Sequence, residues 1–408
     1  MRKRLPGLEK VKLAIREFKL INEEGKVLVG FSGGADSTYC LLALMELGFD
    51  VKALHINHGL RETAKRDEEW CINFCKTIGV DAFVERIKIE GHTALEEMGR
   101  KKRYEIFRRY AKEYGFNAVA LGHNLTDAFE TFLFNSLRGS GLMGLVLPPK
   151  AEIFIRPLIL MCREEIREYL RDAGYEWVED ESNLSDKFSR NRIRMYVEPN
   201  LHKIFPNWCD RFANTYINLW EEREYFQRLL EEFSDKNLIF TGGAFALRIS
   251  EDIRFLRTLS RILDVEIKPL RQIFYLKNGK CFVIKNWKIY RFNDFFVGFK
   301  REAKLEDLNL KVVEGEGRYT GRVKGLGEII LRFRKVGDAI NSKRLGEIFY
   351  KKKIPTFLRD FYPIVEINGK IAWIPFVYEE GGEVTVGLDR INPKMPDFFD
   401  ILRFMGLI

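Results

Sequence analysis

The chain reads as an α/β protein, and three observations predict it. Short apolar runs alternate with helical patterns over the first half of the sequence. A glycine-rich turn follows the first apolar run. After about residue 310 the pattern changes to Gly-punctuated, strand-like sequence. Strands that alternate with helices imply right-handed βαβ crossovers and a parallel sheet. The expected architecture is a Rossmann-like parallel sheet with helices on both faces, then a small α+β middle domain, then a mainly β C-terminal domain. The expected boundaries are 1–200, 201–305 and 306–408.

The elements follow in order. Residues 26–31 (KVLVGF) form an apolar strand, and 36–47 a helix stopped by Gly48. Residues 51–57 give a second strand and 63–78 a charged amphipathic helix. Residues 82–89 give a third strand, and 94–114 a basic helix stopped by Gly115. A fourth strand at 117–122 leads into a helix at 125–137. A fifth strand at 153–159 precedes a helix at 163–172. Beyond Pro199, residues 207–233 read as one long helix. Its stripe of Phe212, Tyr216, Trp220 and Phe226 has helical spacing and is expected to pack. A helix at 251–263, strands over 280–298 and a helix at 342–352 complete the expectation. Ligands of such parallel sheets sit at the carboxyl ends of the strands.

Composition narrows the class. Hydrophobic residues make up 46% of the 408, which excludes a disordered chain. The net charge of +9 admits a polyanionic partner without naming one. Six cysteines are too few for a disulfide framework, and all six are expected to be reduced thiols. Cys71 and Cys75 are spaced C-x3-C with no second pair at zinc-finger spacing. No signal peptide and no membrane span are expected, so a cytoplasmic location is.

The chemistry starts in the turn Ser32-Gly33-Gly34-Ala35-Asp36-Ser37-Thr38. Adjacent glycines let the backbone approach a phosphate closely. The following helix N-terminus offers unpaired N–H groups and a positive dipole end. This is a phosphate cradle without the Gly-Lys-Ser/Thr ending of a Walker loop.

The string matches the SGGxDS signature of the N-type ATP pyrophosphatase (PP-loop) superfamily, which the chain resembles over residues 25 to about 195. Further strings narrow the resemblance. They are His58-Gly59-Leu60-Arg61, Arg100-Lys101-Lys102-Arg103-Tyr104 and Gly122-His123-Asn124-Leu125-Thr126-Asp127 continuing to Glu130-Thr131. Leu137-Arg138-Gly139-Ser140-Gly141-Leu142, Arg156-Pro157-Leu158 and Arg190-Asn191-Arg192-Ile193-Arg194 follow. In this order they resemble the tRNA(Ile)-lysidine synthetase family. One departure stands out: Thr126-Asp127 occupies the place of the family's paired acids.

The resemblance implies an ATP-dependent ligation of L-lysine to C2 of the wobble cytidine in an isoleucine tRNA with a CAU anticodon. The cytidine O2 attacks the α-phosphate, pyrophosphate leaves, and the lysine ε-amine then displaces AMP. It implies ATP and Mg2+ as cofactors, and tRNA and free lysine as partners, with a monomer or homodimer. Ser32, Gly33, Gly34, Ala35, Asp36, Ser37, Thr38, Arg103 and His123 would bind ATP. Asp36, Asp127 and Glu130 would be catalytic. Asp36 would hold Mg2+ or steer the amine. Asp127 and Glu130, on one helix face, would hold the lysine ammonium or the magnesium. Arg190, Arg192, Arg194, Lys343, Arg344, Lys351, Lys352 and Lys353 would meet tRNA phosphates. Two rivals remain at this point: another PP-loop enzyme, such as a tRNA thiolase, and a non-catalytic tRNA-binding protein.

Overall fold

Helix α1 (Leu8–Glu17) leads into strand β1 (Lys26–Gly30), helix α2 (Ala35–Glu46), strand β2 (Asp50–Asn57), helix α3 (Ala64–Ile78) and strand β3 (Ala82–Arg86). Helix α4 (Leu95–Tyr114), strand β4 (Ala118–Ala120) and helix α5 (Leu125–Leu137) follow. A single turn α6 (Leu142–Leu145), a hairpin of β5 (Lys150–Ala151) and β6 (Phe154–Ile155), and helix α7 (Arg163–Ala173) complete the series. This is a computed structural model, and it describes residues 5–22, 24–57, 64–87, 95–179, 192–325 and 327–408.

The strand order is β3-β2-β1-β4-β6-β5. Strands β3, β2, β1, β4 and β6 pair in parallel, whereas β5 pairs antiparallel to β6. The all-parallel expectation is therefore corrected at one edge. Pro157 falls inside the expected fifth strand at 153–159, which shortens to the two-residue hairpin arm Phe154–Ile155. The apolar run of β1 is buried on both sides, as a central parallel strand requires. Val27 and Val29 join the core formed with α2, α3 and α7, while Leu28 joins Phe107 of α4 on the opposite face. The strand order reverses between β1 and β4, which opens a crevice at their carboxyl ends. Residues 31–34 and 121–124 line it.

The chain divides into two compact units, Met1–Glu224 and Tyr225–Ile408. The long helix is Trp208–Asn237. Its first turns belong to the first unit: Trp208, Phe212 and Tyr216 are buried in that unit's core, against Phe18, Phe129 and Phe132. The aromatic stripe is packing, as its period predicts.

Five antiparallel strands form the first sheet of the second unit: Leu238–Phe240, Ala244–Arg248, Phe295–Lys300, Trp287–Phe292 and Cys281–Ile284, in spatial order. Phe245, Leu247 and Phe296 face the helix Ile253–Leu263 through its Phe255, Leu259 and Leu263. Ala246, Val297 and Phe299 face the other way, into a core shared with Tyr362, Phe398 and Phe399. Residues on either side of 305 are thus joined by one sheet with two covered faces. Smaller antiparallel sheets of three, four and two strands carry the remainder.

The cysteines require a correction. Cys162, at the N-cap of α7, forms a disulfide with Cys209 in the first turn of the long helix, 47 residues away. Cys40, Cys71, Cys75 and Cys281 are free. Burial pushes the Cys40 and Cys75 thiols up to about 12, so they are inert.

Candidate active site

The cradle grows from the end of β1. Gly33 has φ +85°, and its carbonyl accepts from the Val178 amide at 2.8 Å. A Cβ there would meet Cys71 Sγ at 2.9 Å, so both conformation and space call for glycine. Ser37 Oγ donates to the Gly34 carbonyl at 3.0 Å and accepts from the Ser32 amide at 3.2 Å. Thr38 Oγ1 donates to the Gly33 carbonyl at 3.3 Å. The N-cap of α2 is Gly34, with no side-chain cap. Asp36 lies two residues further in, at the second helical position. The first-turn amides of α2 therefore keep their capacity for an anion.

The second wall comes from the end of β4. Gly122 lies against the backbone of α2: a Cβ there would sit 2.9 Å from the Ser37 amide nitrogen and 3.0 Å from the Asp36 carbonyl carbon. This close approach places His123 and Asn124 beside the cradle. Asn124 caps α5: its Oδ1 accepts from the Asp127 amide at 3.1 Å, and Asp127 Oδ2 accepts from the Asn124 amide at 3.0 Å. Asp127 is at once a capping residue and a site carboxylate.

Two arginines bind the carboxylates. Arg163 Nη2 donates to Asp127 Oδ1 at 2.9 Å and to Glu130 Oε1 at 3.3 Å. Arg194 meets Glu130 Oε1 at 2.9 Å and stands 3.8 Å from Asp127 Oδ1. Glu198 Oε2 lies 3.7 Å from Arg163 Nη1. The Glu130 and Glu198 side chains are 4% and 5% exposed, so a charge on either is costly without a partner. The acids hold the Arg163 guanidinium charged despite its burial.

Burial pushes the Asp36 carboxyl up to about 6, and Asp127 adds to this while Arg163 and Asn124 pull it back. Burial pushes the His123 imidazole down to about 4. Asp127 opposes this, while Arg156, Arg103 and Arg100 reinforce it, so the ring is neutral at pH 7. Three buried atoms in the crevice lack a hydrogen-bond partner: Asp36 Oδ1, His123 Nδ1 and Asn124 Nδ2. Unsatisfied groups of this kind mark a ligand's place. Asp36 therefore has a free hard oxygen donor that suits Mg2+ or an ammonium. Asp127 and Glu130 engage arginines and fit magnesium poorly. Among the described residues, the group with metal-ligand spacing is Cys162, Glu164 and Cys209, whose sulfurs are joined to each other.

The remaining expectations fall as follows. Arg103 is exposed on α4, within electrostatic reach of His123. Arg194 does not face outward for tRNA but turns onto Glu130, because the buried carboxylate needs a counter-charge. Arg192 is exposed. Arg190, Asn191 and the His58–Gly59–Leu60–Arg61 string lie outside the described residues. Lys343, Arg344, Lys351, Lys352 and Lys353 are exposed on the second unit. Arg332, which looks like part of that basic surface in sequence, is 12% exposed and paired with Asp338 and Glu366. Sequence reading missed Arg163, Arg156 and Glu198. Arg163 opens α7 five residues after the Arg156-Pro157-Leu158 string ends, and no local pattern marks its role.

Comparison with known proteins follows this geometry. Residues 8–201 match the PP-loop domain family. The tRNA(Ile)-lysidine synthase of Pseudothermotoga lettingae is 31% identical over 399 residues, covering 89% of this chain and 89% of that protein. The tRNA(Ile)-lysidine synthase of Clostridium perfringens is 30% identical, covering 88% of this chain and 92% of that protein. Among solved structures, a U34-tRNA thiolase from Methanococcus maripaludis aligns at TM-score 0.44 and 20% identity, over 52% of this chain and 78% of that one. The first two relatives match along nearly their whole length, both units included. The chain belongs to the tRNA(Ile)-lysidine synthase family.

Proposed function

We propose that the β1–β4 crevice ligates L-lysine to C2 of the wobble cytidine of a CAU-anticodon isoleucine tRNA, with ATP split to AMP and pyrophosphate. The observation that carries this reading is the pairing of an uncapped Ser32–Thr38 cradle with a buried carboxylate cluster that retains one free oxygen. The first suits the leaving pyrophosphate and the second a cationic amino acid.

The cradle amides of Ala35 to Ser37 and the Ser32 and Ser37 hydroxyls hold the phosphates. Arg103, beside His123, offers a planar fork to the same oxyanions. Neutral His123 donates or accepts one hydrogen bond without adding charge to the pocket. The cytidine O2 attacks the α-phosphate, and the ε-amine then attacks C2 as AMP leaves. Asp36, Asp127 and Glu130 face Arg163 and Arg194, three carboxylates against two guanidiniums. One negative charge is left over, and it matches one lysine ammonium. Arg163 and Arg194 hold Asp127 and Glu130 in place, and Asp36 carries the surplus. Asp36 is also the residue that would hold Mg2+, which would neutralise phosphate charge when bound. Arg192 and the exposed Lys343, Arg344 and Lys351 to Lys353 bind tRNA phosphates, and the protein works in the cytoplasm.

The test incubates the purified protein with α-labelled ATP, L-lysine and a CAU-anticodon transcript. AMP should form only when lysine and RNA are both present, and a transcript with another wobble base should be inert. AMP release without lysine or without RNA contradicts the reading. Asp36→Asn separates the two roles of that residue. A raised KM for lysine at saturating Mg2+ marks an ammonium ligand, whereas a raised Mg2+ requirement at unchanged lysine KM marks a metal ligand.

A further inference from the structure

The buried cluster contains one carboxyl that the reaction above does not use. Glu198 follows a π-helical turn, Ile193–Val197. Arg194 and Glu198 are four residues apart across that turn: Arg194 reaches Glu130 and Asp127, and Glu198 reaches Arg163 and Glu130. Single π-turns recur where a side chain must be re-aimed into a site. The result is two neighbouring buried carboxyls, Glu130 and Glu198, against one guanidinium.

The geometry is unequal. Glu130 takes hydrogen bonds from both Arg163 and Arg194. Glu198 stands 3.7 Å from Arg163 Nη1, too far for a hydrogen bond. Arg163 Nη1 and Glu198 Oε1 are both buried without a hydrogen-bond partner. An ionised Glu198 would not tolerate this arrangement. It would draw Nη1 in and compete with Glu130 and Asp127 for the guanidinium.

We propose that Glu198 is a positioning residue for the ligation: held as a neutral carboxylic acid, it shares its proton with Glu130 and leaves Arg163 bound to Asp127 and Glu130. This rests on the reading of the crevice as the ligation site. The charge count in that reading, one surplus negative charge, holds only while Glu198 stays neutral.

The electrostatics agree. Burial pushes the Glu198 carboxyl up to about 8; Arg163 opposes this, and Glu130 and Glu164 reinforce it. Among the described residues, the charged groups facing it are Arg163 and Glu164 from α7 and Glu130 from α5, with Asp127 and Arg194 next to them on Arg163 and Glu130. An ordinary glutamate, at about 4.5, is ionised in the unfolded chain over most of this range. Between about 4.5 and 8 the folded protein thus binds a proton that the unfolded chain does not. Its stability therefore falls as pH rises through that window.

Two measurements test the proposal. The first is Tm against pH, without substrates, for the wild type and Glu198→Gln. The variant, which cannot ionise, should match the wild type near pH 4.5 and exceed it increasingly up to pH 8. Parallel curves overturn the proposal. The second is kcat against pH for AMP formation. The wild type should lose activity above pH 8 as Glu198 ionises, and Glu198→Gln should lack that alkaline limb. Glu198→Ala should lower kcat roughly ten-fold, the cost of one buried hydrogen bond, and Gln should restore it. An unchanged alkaline limb in Glu198→Gln, or no rescue by Gln relative to Ala, overturns the positioning role. Diverging Tm curves with no lysine-dependent AMP would sink the functional reading while leaving the Glu198 proton intact. Parallel Tm curves with full activity would do the reverse.

Discussion

His123 carries the sharpest test at the scale of one residue. Its imidazole is pushed down from an ordinary 6.5 to about 4 by burial and by three arginines. Between these values the unfolded chain binds a proton that the folded chain does not, so stability rises with pH through the window and is lost as pH falls. The linkage amounts to as much as about 3 kcal/mol. Replacing His123 with Gln should flatten the urea-unfolding free energy between pH 4 and pH 6.5, and a slope equal to wild type would show that the ring titrates normally. In sequence, His123 is visible through its neighbours Gly122 and Asp127. Arg163 is not visible in that way. It lies 33 residues from Glu130, on a different helix, and its role exists only once α5 and α7 are side by side. Arg194 illustrates the converse: in a basic run it looks like surface charge, yet a buried carboxylate claims it.

Among the elements, the β1–α2 and β4–α5 turns were the most legible. A strand followed by Gly-Gly at the start of an apolar helix, and a strand followed by Gly-His before a capped helix, have local signatures. The predicted and observed spans of α5 coincide at Leu125–Leu137 because Asn124 and Asp127 form a complete capping box. Gly122→Ala should push a methyl into the backbone of Asp36 and Ser37 and weaken ATP binding at least ten-fold, with secondary structure unchanged, as measured by calorimetry and circular dichroism. Unaltered affinity would show that the β4–α2 contact yields without cost. The disulfide was not legible, because two cysteines 47 residues apart carry no shared local pattern. Thiol titration of the unreduced, denatured protein should find four thiols, and finding six would mean that the bond does not form. Closing a loop of this length stabilises by about 4 kcal/mol in the chain-entropy account, so Cys209→Ser should lower stability by up to that amount.

At the scale of the whole molecule, the charge surplus read from composition has a counterpart in exposed side chains, though fewer than the sequence suggests. Arg332 and Arg194 are half-buried and paired with carboxylates, whereas Lys351, Lys352 and Lys353 are exposed. Replacing these three lysines with Ala should make the salt dependence of log Kd for tRNA shallower by up to about 2–3, if each meets a phosphate. An unchanged slope would assign them to ordinary solvated surface. The α/β layering of the first unit was readable because apolar runs and helices alternate along it. The second unit was harder to read, because its first sheet shares cores on both faces with distant segments, so the change of pattern near residue 310 does not coincide with a break in packing. The central claim is that this chain joins lysine to one cytidine at the expense of ATP. Incubating the full-length protein with ATP, isotope-labelled lysine and a CAU-anticodon isoleucine tRNA, then digesting the RNA to nucleosides for mass spectrometry, tests it directly. The account predicts label in a single modified cytidine, at the wobble position, formed with one AMP per label. Label absent from the RNA, or present equally in a tRNA lacking that cytidine, would contradict it.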